Sequence, residues 1–187
     1  MNRKTDRILD EYLVASARAG DRKAFGQLVD RWNKKMFLHA WHLTGDNELA
    51  RDAVQDAWAD IVRALPGLRD TVTFPAWCFR IVTRRCWDQI RKVRSQRKTS
   101  DAFAAEPHDD FESTTTIENR ADNAPLQNAI NELPPAQRIV VRLYYSQELS
   151  VAEVAAALSV PPGTVKTRLM HARKKLRASL EGDKTNA

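Results

Sequence analysis

Apolar residues recur at spacings of three and four along most of this chain, and no stretch alternates apolar and polar residues for long. That repeat indicates helices with one buried side, so the sequence predicts an all-α fold. Breaks that contain Gly or Pro, such as Pro66-Gly67 and Pro134-Pro135, separate the helical stretches. We predict helices over residues 9–19, 21–42, 47–65, 74–97, 124–133, 135–146, 150–158 and 162–180.

Charge divides the chain into three parts. Residues 1–98 carry 20 basic and 12 acidic side chains, residues 99–123 carry one and seven, and residues 124–187 carry nine and five. The middle part has only three large apolar residues, so it cannot bury enough surface to fold alone. We therefore predict two small helical domains, 8–98 and 124–181, joined by a flexible acidic linker. The linker is either a plain solvated tether or a segment whose negative charge imitates nucleic acid in a basic channel of a partner.

Composition excludes several classes of protein. No apolar run approaches the 18 or so residues of a membrane span, and the N-terminus leads into no apolar core of a secretory signal. Two cysteines do not make a disulfide framework. We expect a soluble, cytoplasmic protein without membrane insertion, whose net charge of +6 suits a polyanionic partner.

Catalytic and metal-binding motifs are missing from the sequence. It has no Gly-rich phosphate loop and no Ser nucleophile motif. His39 and His42 are spaced to share a metal on a helix, but lone helical histidines are more often core or surface residues. Cys78 and Cys86 lie about 12 Å apart along one helix axis, too far to bridge, and we predict two buried thiols. We therefore predict no catalytic residue, no cofactor and no metal.

The last two predicted helices form a helix-turn-helix pattern. Ser150 and Glu153 are spaced as a capping box, and a short turn at Ser159-Val160-Pro161 precedes the longer helix. At 100° per residue, that helix places apolar residues on one side and donors for base edges and phosphates around the rest. A solvated amphipathic helix is the alternative. The candidate DNA-binding residues are Thr164, Lys166, Thr167, Arg168, His171, Arg173 and Lys174.

The helix predicted over 74–97 carries a basic stripe on one side. The members of this stripe, spaced by four and three in turn, are Arg80, Arg84, Trp87, Arg91, Arg94 and Lys98. Cations that follow a backbone, with an aromatic ring for stacking, suit single-stranded or partly opened nucleic acid. Trp77 lies beside the stripe as a second platform, and core packing is the alternative for both tryptophans. We expect Arg85 at an edge or in an ion pair.

The helix predicted over 47–65 has an apolar side and an acidic side. Its predicted apolar residues are Ala50, Val54, Trp58, Ile61, Val62 and Leu65, and its polar residues are Glu48, Asp52, Gln55, Asp56 and Asp60. The polar side is either simply solvated or meets basic groups on a partner protein.

Three of these segments resemble bacterial sigma factors. Residues 133–138 (LPPAQR), 149–155 (LSVAEVA) and 163–169 (GTVKTRL) resemble their promoter-reading domain. Residues 52–58 (DAVQDAW) resemble their core-polymerase-binding helix. Residues 74–81 (FPAWCFRI) and 88–92 (DQIRK) resemble their promoter-melting helix. The motifs occur in the family's order, and a chain with only these two domains resembles the compact extracytoplasmic-function group.

The resemblance implies a transcription-initiation factor. Such a protein binds core RNA polymerase, directs it to selected promoters, helps to separate the DNA strands and has no active site of its own. Asp52, Gln55 and Asp56 would bind polymerase, and the linker would thread toward its active-site channel. The family also implies an anti-sigma partner. The residues expected at the downstream promoter element are Trp77, Arg80, Arg84, Trp87, Asp88, Arg91 and Lys92, and those of the last helix would read the upstream element.

Three positions depart from the family pattern. Arg84 stands where Asn is common, His171 where Arg is frequent, and Ser159 where Gly is common at the turn. The first two positions bear on which base sequences are preferred, and a left-handed Ser159 would be strained by about 1 kcal/mol. Two alternatives remain: a stand-alone helix-turn-helix regulator that binds its operator as a dimer, and a helical enzyme with an accessory nucleic-acid domain.

Overall fold

The computed structural model describes residues 3–100 and 124–183, and these form two compact units without any strand. The all-α prediction is confirmed. The N-terminal unit contains four helices: α1 (Arg3–Arg18), α2 (Arg22–Thr44), α3 (Asn47–Ala64) and α4 (Phe74–Ser100), with 3₁₀ turns at Leu65–Gly67 and Thr71–Thr73. The predicted linker, residues 99–123, falls almost entirely outside the described residues, so the domain limits stay predictions.

Local side chains fix where α2 and α3 begin. The carboxylate of Asp21 accepts hydrogen bonds from the backbone N–H groups of Lys23 and Ala24, at 2.8 and 3.1 Å. Asp46 does the same for α3, where its carboxylate accepts from the backbone N–H groups of Glu48 and Leu49 at 2.7 and 2.9 Å. Gly45, at φ 70°, ends α2 in the left-handed conformation that glycine adopts without strain.

The first helix begins six residues earlier than predicted. The segment before residue 9 buries little apolar surface, since Ile8 is 65% exposed, and so it leaves no apolar periodicity to detect. Arg31 of α2 holds the start of α1 instead: it donates to Asp6, within this early segment, at 3.3 Å, and to Asp10, one turn further along α1, at 2.8 Å. These two carboxylates raise the pKa of Arg31, with the hydrogen bond to Asp10 the largest cause.

Aromatic and aliphatic side chains from all four helices fill the core of the N-terminal unit. Trp32 contacts Phe74 and Phe79 with ring centroids 5.2 and 5.7 Å apart. One predicted core residue is wrong, because Val62 is 53% exposed. Ile61 of α3 and Leu65, one turn further on at the start of the 3₁₀ turn, are buried, and their burial turns Val62 outward. The largest fully buried side chains of this unit are Leu13, Val14, Leu28, Met36, Ile61, Phe74, Phe79 and Val82.

Two kinds of reactive side chain belong to this core. The Nε2 atom of His39 lies 2.8 Å from the hydroxyl of Thr83, and burial lowers the pKa of the imidazole to about 3. His39 is therefore a neutral core residue, while the ring of His42 packs against Trp41. The buried thiols of Cys78 and Cys86 confirm the prediction, and burial raises the pKa of Cys86 to about 12.

The C-terminal unit is built from α5 (Ala124–Asn131), α6 (Pro135–Val141), α7 (Val151–Leu158) and α8 (Pro162–Asp183). A π-helical turn, Arg142–Ser146, continues α6. Arg142 connects this turn to α5 by donating to the amide oxygen of Asn131 at 2.8 Å, and burial lowers the pKa of its guanidinium to about 10. The apolar core residues include Leu133, Ile139, Val140, Val141, Leu143, Leu149, Val154, Val165, Leu169 and Ala172.

Helix α7 begins with the predicted capping box and ends at the turn that leads into α8. The Ser150 hydroxyl accepts from the N–H of Glu153 at 3.2 Å, and the Glu153 carboxylate accepts from the N–H of Ser150 at 2.6 Å. Ser159 adopts φ 54°, and the N–H of Val160 bonds the carbonyl of Ala155 at 3.0 Å. This is a Schellman motif with a serine at the position that usually holds glycine.

In residues 3–100 and 124–183, no helix combines the length and the low polarity that crossing a bilayer requires.

Replacing Ser159 by Gly should stabilise the C-terminal unit by up to about 1 kcal/mol, because glycine removes the strain of a left-handed side-chain-bearing residue. Denaturant unfolding of the full chain, followed by far-UV circular dichroism, would measure the change. All five tryptophans lie between residues 32 and 87, so tryptophan fluorescence reports the N-terminal unit and should not shift. Ala156→Gly, at an exposed position inside α7, should destabilise by about 1 kcal/mol instead. Equal losses for both variants would contradict strain at Ser159.

Candidate functional site

The basic stripe of α4 faces solvent along its described length. Arg80, Arg84 and Arg91 are exposed, and so is Lys92 beside them. The side chain of Lys98 lies outside the described residues. Trp87 is 48% exposed in the middle of the stripe. That exposure excludes core packing for Trp87 and leaves a flat aromatic surface open among cations.

Trp77 is placed differently. It is half-buried, and its ring lies 5.9 Å from that of Phe74, a fully buried core residue. Trp77 therefore forms part of the rim of the core, with only a portion of the ring open to a ligand.

An acidic residue lies at the edge of the stripe. The carboxylate of Asp88 forms an ion pair with Arg91, one turn along α4, and the two side chains are 41% and 74% exposed. This contact holds the guanidinium of Arg91 close to the helix surface. The sequence prediction placed both residues at the downstream element but did not foresee their contact.

Asp60 of α3 binds three guanidinium groups. Its carboxylate accepts from Arg85 Nε and Nη2 at 2.7 and 2.6 Å, from Arg84 Nη2 at 2.8 Å and from Arg63 Nη2 at 2.6 Å. The hydrogen bonds from Arg85, the largest cause, hold the pKa of Asp60 well below its usual range. Arg85 was expected at an edge or in an ion pair, and the structure shows the ion pair. Asp60 was predicted to lie on the polar side of α3 without a specific partner, and yet its side chain is only 12% exposed.

The polar side of α3 presents its three candidate residues unequally. Asp52 and Gln55 are exposed, whereas Asp56 is partly buried and accepts from Gln89 Nε2 of α4 at 3.2 Å. Asp56 therefore lies where α3 meets α4. The exposed Val62 extends the outer side of α3 beyond Gln55 with an apolar group.

The outer side of α8 carries most of the residues predicted to read DNA. Lys166, Thr167, His171 and Lys174 are exposed, while Thr164 and Arg168 are partly buried. The Thr167 hydroxyl donates to the carbonyl of Gly163 at 3.0 Å, which leaves its oxygen available only as an acceptor.

Arg173 is held at the flank of α8 by the π-helical turn. Its Nε donates to the Tyr145 hydroxyl at 2.9 Å, and its guanidinium carbon lies 5.8 Å from the ring centroids of both Tyr144 and Tyr145. Sequence reasoning missed this pair, because Tyr145 is 28 residues away and gives no periodic signal. It also left out Met170, which is 58% exposed among the cations of α8.

No group of three or more His, Cys, Asp or Glu side chains within the described parts of the chain is arranged to hold a metal ion. The polar groups that do converge are guanidinium–carboxylate pairs on helix surfaces. Such surfaces can bind phosphates and stack bases.

Two family models match the chain in the order of its two units. The Sigma-70 region 2 model matches residues 28–96, and the Sigma-70 region 4 model matches residues 124–176. The ECF RNA polymerase sigma factor SigM of Mycobacterium tuberculosis is 32% identical over 168 residues, which cover 89% of this chain and 82% of that protein. The ECF RNA polymerase sigma-E factor of Escherichia coli is 29% identical and covers 91% and 93% of the two chains.

Solved structures share the fold. CnrH in complex with the cytosolic domain of CnrY matches with a TM-score of 0.61 and 27% identity, over 94% of this chain and 99% of that one. The sigma factor RpoE from Bartonella quintana, in complex with the anti-sigma factor NepR, matches with a TM-score of 0.63 and 23% identity, over 85% and 98%. With both sigma regions matched and SigM similar over most of its length, the chain belongs to the extracytoplasmic-function group of RNA polymerase sigma factors.

Proposed function

We propose that this sigma factor holds core polymerase through α3 and meets the opening downstream element through α4, while α8 reads the upstream element. The observation that carries the proposal is the 48% exposed ring of Trp87 within the basic stripe. A surface for duplex DNA needs only cations. A stacking ring among cations suits bases that have left the duplex.

The polymerase contact is assigned to the exposed polar side of α3. Asp52 and Gln55 supply a charge and a hydrogen-bonding amide at the surface, and Asp56 supports them at the junction with α4. Carboxylates on one partner direct association with basic groups on the other. The exposed Val62 adds apolar area to the same surface.

Strand opening is assigned to α4. Arg80, Arg84, Arg91 and Lys92 would hold the phosphates of a strand, while Trp87 and the open part of Trp77 would stack its bases. Stacking of a base on an aromatic ring is worth about 1–3 kcal/mol and tolerates any base, so it compensates for lost pairing without requiring a sequence.

Upstream reading is assigned to α8. Lys166, Thr167, His171 and Lys174 are exposed where base edges of a major groove would lie. Arg173, held beside two tyrosine rings, is placed for a phosphate contact. Thr164 and Arg168, partly buried, would contact the DNA backbone at the edge of this surface.

The proposal includes no chemistry by the chain itself, since the polymerase it joins makes the RNA. It also places the protein in the cytoplasm, where that enzyme works. RpoE from Bartonella quintana is in complex with the anti-sigma factor NepR, and we infer that an anti-sigma factor also binds this chain and covers its polymerase-binding side. A stand-alone regulator that binds its operator as a dimer would have no use for an exposed tryptophan among cations.

Reversing the charge of Asp52 should weaken binding to core polymerase by about tenfold, the effect of losing roughly 1.4 kcal/mol of electrostatic attraction. Fluorescence anisotropy of labelled Asp52→Lys protein titrated with core enzyme would measure this. Asp30→Lys, an equal charge change at an exposed position of α2, is the control and should bind normally. Equal weakening of both variants would point to net charge rather than to this surface of α3.

Removing Arg84 or Arg91 should slow strand opening more than it weakens initial promoter binding, because the stripe meets DNA only as it opens. Holoenzyme made with Arg84→Ala or Arg91→Ala would be compared on duplex and pre-melted templates, with opening followed by permanganate reactivity of unpaired thymines. The defect should shrink on the pre-melted template. Lys23→Ala, at the start of α2, serves as the control cation. Equal defects of the two Arg variants on both templates would count against this assignment.

Arg173→Ala should weaken holoenzyme binding to all promoter fragments alike and reduce the salt dependence by about one phosphate contact. Lys166→Ala should instead change which upstream sequences are preferred, by about 1–3 kcal/mol at the contacted position. Tyr145→Phe keeps the ring but removes the hydroxyl that holds Arg173, so it should reproduce part of the uniform loss. A changed sequence preference for Arg173→Ala would reassign that residue to base reading.

A further inference from the structure

The junction between α3 and α4 contains an ion-pair cluster centred on Asp60, a carboxylate that has no assigned role. Asp60 of α3 binds both Arg84 and Arg85 of α4, at 2.6–2.8 Å. The helices carrying the proposed polymerase contact and the proposed strand-opening surface are thus connected through one carboxylate. Arg63, on α3 itself, is the third group bound.

The two α4 arginines are bound in different ways. Arg85 uses two nitrogens of its fork, and its side chain is 26% exposed, so it anchors the carboxylate to α4. Arg84 uses only Nη2, and its side chain is 63% exposed. The hydrogen bond from Nη2 therefore fixes the orientation of the Arg84 guanidinium, while much of its surface stays open to solvent. Its other N–H groups remain available to donate to a phosphate.

The net charge of the cluster indicates whether the Asp60 carboxylate orients Arg84 for a phosphate or hides its charge from one. Three guanidinium groups surround the Asp60 carboxylate, so these four side chains together stay positive and still attract a phosphate, although Asp56 and Asp88 also lie close enough to act on Arg85. Without the carboxylate, Arg84 and its neighbour Arg85 would repel each other and Arg84 would leave its present position. A guanidinium that is already held also loses less conformational freedom when a phosphate binds.

We propose that Asp60 is a positioning residue for strand opening, which holds the Arg84 guanidinium on the DNA side of α4 through a cluster anchored by Arg85. The inference rests on the proposed function, since it gives Arg84 its contact with the opening strand. It extends that function by assigning a role to a residue on the polymerase-binding helix that does not itself touch DNA.

A double-mutant cycle in reconstituted holoenzyme tests the proposal. Opening rates on a duplex promoter would be measured for the chain itself and for Asp60→Asn, Arg84→Ala and the double variant, with core-binding affinity and thermal unfolding recorded for each. Asp60→Asn should slow opening about three- to tenfold, within the coupling usual for one ion-pair network. The double variant should open no more slowly than Arg84→Ala, because Asp60 acts through Arg84.

Two further variants separate positioning from general stability. Asp60→Glu keeps the charge and the fold but moves the carboxylate by one methylene, so it should recover part of the opening rate. Arg63→Ala removes the guanidinium that does not belong to α4 and should open normally. On a pre-melted template, the slow opening of the Asp60→Asn variant should be partly relieved, as is expected for Arg84→Ala.

Several outcomes would overturn the inference. Multiplicative defects in the double variant would mean that Asp60 acts independently of Arg84. Faster opening by Asp60→Asn would mean that the carboxylate masks the stripe, and unchanged opening would leave it no part in the reaction. If Arg84→Ala opened the promoter at the normal rate, the proposed contact between Arg84 and the opening strand would be wrong. If Arg84→Ala opened slowly but Asp60→Asn opened normally, only the role proposed for Asp60 would be wrong.

Discussion

The burial of one side of α4 is the constraint on which the N-terminal unit depends. Phe74, Phe79, Val82 and Cys86 lie in the core, where α4 packs against α2 and α3. A helix turns by 100° per residue, so fixing these positions also fixes the opposite side. The cations and Trp87 are therefore exposed because the apolar residues between them are buried. The fold and the candidate DNA surface are two consequences of one periodic sequence.

In the C-terminal unit, too, burial of one side of a helix exposes the opposite side, here on α8. Val165, Leu169 and Ala172 are buried, which turns the lysines and His171 of α8 outward. The caps at Ser150 and Ser159 set where α7 begins and ends and hence where α8 can start. Each unit thus presents a basic helix whose orientation is fixed by the core of that unit.

Periodicity predicted what lies within one helix and missed what connects two helices. The helices, the capping box and the outward stripe of α4 all follow from residues within a few positions of one another. The burial of Asp60 depends on Arg84 and Arg85, which are 24 and 25 residues away, and the position of Arg173 depends on Tyr145. The start of α1 was missed for a similar reason, since Arg31 of α2 holds it through ion pairs. A local pattern carries no information on such partners.

Carboxylates beside the basic stripe of α4 lower the net charge of the candidate DNA surface and hold some of its side chains in place. Asp56, Asp60 and Asp88 each bind a side chain of α4, and each lowers the net charge of a surface that should meet a polyanion. Summed charge governs sequence-independent binding to duplex DNA, so these residues weaken it. A guanidinium group that is fixed in place can still donate short-range hydrogen bonds to a phosphate, because these depend on its position rather than on the net charge of the surface. These carboxylates therefore favour binding of a strand that is already held close to α4 and disfavour binding of any DNA that the protein encounters. This suits a subunit that should meet promoters only when it is bound to polymerase.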